Sequence, residues 1–241
     1  MKLHILTLSA IALTVTAGHA SVVAYNSNPT GNSTDFASGV AANSGVMTTL
    51  TFEGLTDGAF TNPYAGVTIS SDKPTLEVGS GYVPSCNNQG STGEGCYNPS
   101  SKFLWVNDRA PYNGYHINIS FDAPVLAAGF FIIDMYNPAG VHQIEAFDGP
   151  DGTGSSIAVV PATAANFQLG YRYFIGLLST TSNIRSIVYS SPEPAGDTVY
   201  LDDLKYATVA ESGPSAPEPG TLALLALPLA GFLLRRRSLT R

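Results

Sequence analysis

Between residues 46 and 210 the apolar positions recur at a period of two, in short runs broken by Gly, Asn, Asp and Pro. The clearest run is Tyr115–Phe121. Tyr115, Ile117, Ile119 and Phe121 share one face, and His116, Asn118 and Ser120 share the other. That alternation predicts a half-buried antiparallel strand. Met47–Glu53, Gly66–Ser70, Phe103–Val106, Tyr171–Leu177, Ile184–Tyr189 and Thr198–Tyr206 read as further strands. Val125–Met135 is almost wholly apolar, which predicts a central strand covered on both faces. Val141–Phe147 and Ser156–Val160 flank Asp148-Gly149-Pro150-Asp151-Gly152-Thr153-Gly154, a hairpin signal. About ten or eleven strands without a convincing helix predict an all-β, antiparallel sandwich of jelly-roll type.

The two ends follow other patterns. Met1–Ala20 has a basic start at Lys2, an apolar stretch and Gly18-His19-Ala20 before the expected cut, the layout of a secretory signal peptide. Residues 21–45 are polar with little periodicity and read as an N-terminal arm. Residues 211–241 hold Pro217-Glu218-Pro219, the fourteen-residue apolar run Thr221–Leu234, and Arg235-Arg236-Arg237. As a helix that run covers about 21 Å, short of a hydrocarbon core of about 30 Å. The arginines set its orientation with their side in the cytoplasm.

This tail resembles the PEP-CTERM sorting signal of Gram-negative bacteria. The resemblance implies recognition at Pro217, Glu218 and Pro219 by an exosortase-type membrane enzyme. It also implies transient anchoring in the inner membrane through the apolar helix, with Arg235, Arg236 and Arg237 as its basic end, and then delivery to the surface or the extracellular space.

Composition narrows the body's function. Residues 21–216 carry six basic and seventeen acidic residues, a net charge of −11. No basic patch serves nucleic acid. Cys86 and Cys96, the only cysteines, stand in a Gly- and Asn-rich stretch of an exported chain, where a disulfide is expected.

No catalytic motif is found: there is neither G-x-S-x-G nor H-E-x-x-H. His142 is expected on a solvent-facing strand surface, and Asp148 and Asp151 in local turn hydrogen bonds. Trp105, Asn107, Asp108, Arg109 and Tyr112 form the best aromatic and polar cluster for a sugar ring. Asp202 and Asp203 are adjacent within a strand, an arrangement strands disfavour. With Glu53 they resemble the pattern of carbohydrate-binding modules with galactose-binding-like jelly rolls. That resemblance implies a structural calcium ion tying the first strand to the last through Glu53, Asp202 and Asp203. The sequence therefore points to a non-catalytic surface or matrix protein that binds extracellular polysaccharide. A secreted polysaccharide hydrolase and a purely structural matrix protein are the alternatives. Two carboxylates facing one cleft, or a Ser and a His within hydrogen-bond reach, would favour the hydrolase, and a flat or aromatic-lined face without such pairs would favour binding.

Overall fold

The computed structural model describes residues 21–26, 32–73, 76–80, 101–106, 114–133, 142–162, 172–181, 183–192 and 199–210. The described residues up to Val209 form one compact unit. The signal peptide, both cysteines, Asn107 to Tyr112, and the tail from Pro217 to Arg237 lie outside the described residues. No helix among the described residues is long and apolar enough to cross a membrane.

The strands are β1 (Val22–Asn26), β2 (Gly45–Leu50), β3 (Gly58–Ala59), β4 (Val67–Ser71), β5 (Leu76–Ser80), β6 (Lys102–Val106) and β7 (Tyr115–Val125). They continue as β8 (Ala127–Ile133), β9 (Gln143–Phe147), β10 (Ser156–Pro161), β11 (Arg172–Ser179), β12 (Ile184–Ser191) and β13 (Tyr200–Val209), and one helix, α1 (Ser33–Ala42), follows β1. They make two antiparallel sheets. The larger runs β1-β11-β8-β13-β6-β5-β3, with β2 paired to β13 end to end with β6; the smaller runs β10-β9-β12-β7-β4. The all-β sandwich expected from the alternation is what the chain forms.

Burial follows the pattern that predicted it. Every residue of β8 is buried, as its unbroken apolar run requires. On β7, Ile117, Ile119 and Phe121 enter the core between the sheets, where Ile144, Ile187, Tyr189, Phe130 and Leu201 join them.

The arm expected at residues 21–45 is instead part of the fold. β1 pairs with β11 from Val22↔Ser179 to Asn26↔Ile175. Asn32 caps α1: its side chain accepts from the N–H groups of Thr34 and Asp35, both at 2.9 Å, while the Asp35 carboxylate accepts the Asn32 N–H at 3.3 Å. This reciprocal capping box satisfies donors that a helix start leaves open. Phe36 and Val40, one turn apart, are fully buried against Tyr25, Phe131, Phe174 and Leu178 on the outer side of the larger sheet. Two large apolar side chains at helical spacing were enough to dock a segment that is otherwise polar.

Candidate functional site

The outer face of the smaller sheet is built from the alternate residues of its strands, because their neighbours Ile69, Ile117, Ile119, Ile144, Ala146, Ile187 and Tyr189 fill the core. Pairing registers line these outward residues up in rows across the sheet. One row is Ser70, Asn118, Val188, Glu145 and Val159. A second, one strand-repeat along, is His116, Ser190 and Gln143, with Asp72 beside His116 just beyond β4. A third is Thr68, Ser120, Ser186 and Phe147. The open floor is thus mixed: Thr68, Ser70, Asn118, Ser190 and Gln143 bring hydroxyl and amide groups, Glu145 a carboxyl, His116 an imidazole, and Val188 and Val159 apolar steps.

The β9–β10 turn folds back over the third row. Gly149 N–H donates to Thr153 O at 3.1 Å and Thr153 N–H to Pro150 O at 3.0 Å. Asp148 stays within the turn, accepting Ser155 N–H at 2.6 Å. Asp151 reaches out of it: its carboxylate accepts from Ser120 Oγ at 2.7 Å and Asn118 Nδ2 at 3.2 Å, and its N–H donates to Ser120 Oγ at 2.8 Å. Ser186 Oγ donates to Gly149 O at 2.7 Å and accepts Gly152 N–H at 3.0 Å. The buried hydroxyls of Ser120 and Ser186 are thereby paired. Gly152 is at φ 68°, and a Cβ there would stand 2.9 Å from Val188 Cγ2, so no larger residue fits without a shift. The turn is a fixed wall at one end of the face.

The other end carries an Asp–His pair. His116 Nδ1 lies 3.1 Å from Asp72 Oδ2, and His116 N–H donates to Asp72 Oδ1 at 2.8 Å. Asp72 N–H donates to His116 O at 3.2 Å, and Ser71 Oγ to the same oxygen at 3.0 Å. Lys73 Nζ stands 3.8 Å from Asp72 Oδ2. The backbone of His116 is tied to Asp72 and Ser71, while its imidazole makes one contact, to Asp72, and is otherwise exposed.

His142 corrects the expectation of a solvent-facing histidine. It is fully buried, its Nδ1 lies 2.7 Å from Tyr189 Oη, and its ring stacks on Tyr189 at 6.1 Å. It shares strand parity with Ile144 and Ala146, which face the core.

Trp105 lies on the other sheet. It packs half-buried against a satellite cluster of Phe103, Ile133 and Tyr200 on the outer side of the larger sheet. Phe103 and Tyr200 rings meet at 4.5 Å, so these aromatics are chiefly packing. Among the described residues Trp105 Nε1 has no hydrogen-bond partner.

The seam between the first and last strands of the expected calcium site does form: β2 pairs with β13, Leu50 opposite Leu204. The adjacent aspartates have a backbone explanation. The register of β13 against β8 shifts between Asp202 and Lys205, a bulge, with Asp203 in the left-handed region at φ 48°. Asp tolerates that conformation better than most side chains, and bulges absorb the extra residue. Asp202 accepts Asp203 N–H at 2.8 Å and is 3 % exposed. It lines a small void with Phe52, Ile69, Leu104, Ile119, Phe130, Leu201 and Leu204. Burial, then the neighbouring Asp203 charge, push its carboxyl up to about 6, with Arg172 opposing and Glu53 adding slightly. Glu53 sits in the turn after β2 and accepts from Ser101 Oγ and, at 3.1 Å, from Lys102 N–H. Arg172 stands 3.8 Å from Asp203 and 3.9 Å over the Phe131 ring. Asp203 thus has a guanidinium beside it, while Glu53 is engaged by Ser101 and Lys102. Among the described residues no group of three or more His, Cys, Asp or Glu side chains converges as a metal site.

The architecture belongs to the class of two-sheet antiparallel β-sandwiches. No protein-family model and no curated protein matches the chain. Among solved structures it is similar to the K1 cleaved adhesin domain of Lys-gingipain from Porphyromonas gingivalis, at 12 % identity over 69 % of this chain and 100 % of that one, TM-score 0.42. It is similar to the C-terminal family 22 carbohydrate-binding module of a Clostridium thermocellum protein, at 15 % identity over 71 % and 98 %, TM-score 0.32. A family 11 carbohydrate-binding module from Clostridium thermocellum, in complex with a β-1,3-1,4-mixed-linked tetrasaccharide, shares 15 % identity over 69 % and 98 %, TM-score 0.30. At such scores the likeness carries no argument about ligands.

Proposed function

We propose that the body is the polysaccharide-binding part of an exported protein, with the outer face of the smaller sheet as its ligand surface. The observation that carries this reading is the set of rows of Ser, Thr, Asn and Gln side chains, walled by the anchored 148–154 turn. Sugar hydroxyls both donate and accept, and hydroxyl and amide side chains do the same without the desolvation cost of a charge. Val188 offers an apolar contact to the C–H face of a ring. Gln143→Ala and Glu145→Ala should each weaken retention of the secreted protein in polysaccharide gels about threefold to tenfold, the worth of one net hydrogen bond. Trp105→Phe should leave retention unchanged. Retention lost with Trp105 and indifferent to Gln143 would move the ligand surface to the other sheet.

Export and sorting stand beside this as a proposal resting on residues 1–20 and 211–241, with the exosortase-type enzyme and the inner membrane as transient partners. Intact mass of the secreted form should lack residues 1–20 and the arginine-ended tail, and should rise by two hydrogens on reduction of Cys86–Cys96. A mature chain that keeps Arg235–Arg241 would sink the sorting reading, and an unchanged mass on reduction would sink the disulfide. Structural calcium at Glu53, Asp202 and Asp203 is a further proposal, decided by the melting temperature with and without chelator.

A further inference from the structure

We infer that Asp72, His116, Ser190 and Gln143 form an acyl-transfer site acting on O-acyl esters, such as those carried by a polysaccharide bound to this face. The four residues stand side by side in one row: Asp72 just past β4, His116 on β7, Ser190 on β12 and Gln143 on β9. His116 turns both its N–H and its C=O toward Asp72, away from β12. Its pairing with Ser190 is therefore of the non-hydrogen-bonded kind, in which facing side chains come closest. Directly opposed side chains have Cβ atoms about 4.5–5.5 Å apart, within reach of an imidazole and a hydroxyl.

The roles follow from position. With Asp72 accepting from Nδ1–H, the Nε2 edge of His116 is left as the base, the arrangement that orients a catalytic imidazole. Ser190 Oγ attacks the ester carbonyl carbon while its proton passes to His116 Nε2. The tetrahedral oxyanion is met by the side-chain amide of Gln143, the neighbour of Ser190 on its other side. Collapse breaks the carbonyl–oxygen bond to the sugar, and His116 returns the proton to the departing oxygen. Water, deprotonated by the same histidine, then cleaves the acyl-serine, releasing a carboxylic acid and restoring Ser190. Asp72 is a positioning residue; the face is open, which suits a group on a polymer.

Only the substrate rests on the polysaccharide reading, so the test uses probes that need no glycan. The secreted protein is treated with a fluorophosphonate and digested, and p-nitrophenyl acetate hydrolysis is followed in parallel. The expected result is one phosphonyl adduct on Ser190, absent from Ser190→Ala and His116→Ala. Ester hydrolysis should fall about 100-fold or more in Ser190→Ala. Asp72→Asn should lower kcat with KM unchanged. These side chains face outward, and melting curves confirm that each variant folds. No adduct on Ser190, an adduct indifferent to His116, or parent-rate hydrolysis by Ser190→Ala would overturn the inference. Polysaccharide retention with no labelling rejects the acyl-transfer site alone; labelling without retention rejects only the glycan surface.

Discussion

Phe36→Ala lowers the unfolding free energy of the body by about 3–5 kcal/mol, the cost of removing a large buried aromatic from a packed site. Phe36 has no exposed surface. Its ring meets Tyr25 edge-on at 5.3 Å and Phe174 at 5.0 Å. Truncation opens a cavity bounded by β1, β8 and β11, and α1 holds only Val40 besides to keep it docked. The substitution also separates two accounts of residues 21–45. If they were an arm, Phe36→Ala would be nearly silent. Urea unfolding measures the difference: a midpoint shift with an unchanged slope is the expected signature. A loss below about 1 kcal/mol would mean that α1 detaches at little cost.

Asp202→Asn stabilises the body at pH 8 by roughly 2–3 kcal/mol relative to the parent and leaves it nearly unchanged below pH 4. The carboxyl is held at about 6 in the fold against an ordinary 3.8, and each pKa unit is worth about 1.4 kcal/mol. Below 3.8 the group is protonated folded or unfolded, and its contribution is fully present. As pH rises toward 6 the unfolded chain ionises freely while the folded carboxyl keeps its proton. Above 6 it must ionise in an apolar void, and that contribution is lost. Asparagine keeps the acceptor for Asp203 N–H and carries no charge. The difference between the two melting curves, taken from pH 4 to 8, measures this, and a constant difference would remove the argument. Calcium at the seam predicts the reverse: it would hold Asp202 ionised, chelator would lower the melting temperature, and Asp202→Asn would destabilise.

The strands were legible where side-chain parity is strict. Tyr115–Phe121 declares both faces, and Ala127–Ile133 declares that it has none in water. The N-terminal segment was not, because Tyr25, Phe36 and Val40 are scattered among polar residues and α1 contains Ser, Thr and Gly, weak helix formers. Its one local sign was Asn32 followed three residues later by Asp35. β5 hid in Val78-Gly79-Ser80, where Gly79 reads as a turn. In the fold it makes room for Phe103, whose ring would lie 2.8 Å from a Cβ. His142 could have been placed by its parity with Ile144 and Ala146. The row of Asp72, His116, Ser190 and Gln143 had no motif to announce it, since its members are neighbours only through register. The aspartate pair was noticed for the right reason, an offence against strand preference; the left-handed bulge that holds it could not be read from the sequence.

The pairing of β1 with β11 bears on when the protein can fold. Ser21 N–H donates to Thr180 Oγ1, 159 positions away, and β2 must await β13 over a similar span. The strands made first have no partners until nearly the whole body has emerged. Such non-local closure is slow, because the loop entropy is spent before any contact rewards it. In a chain of this topology the last strand made, β13, is the one that joins β8, β6 and β2 into the larger sheet.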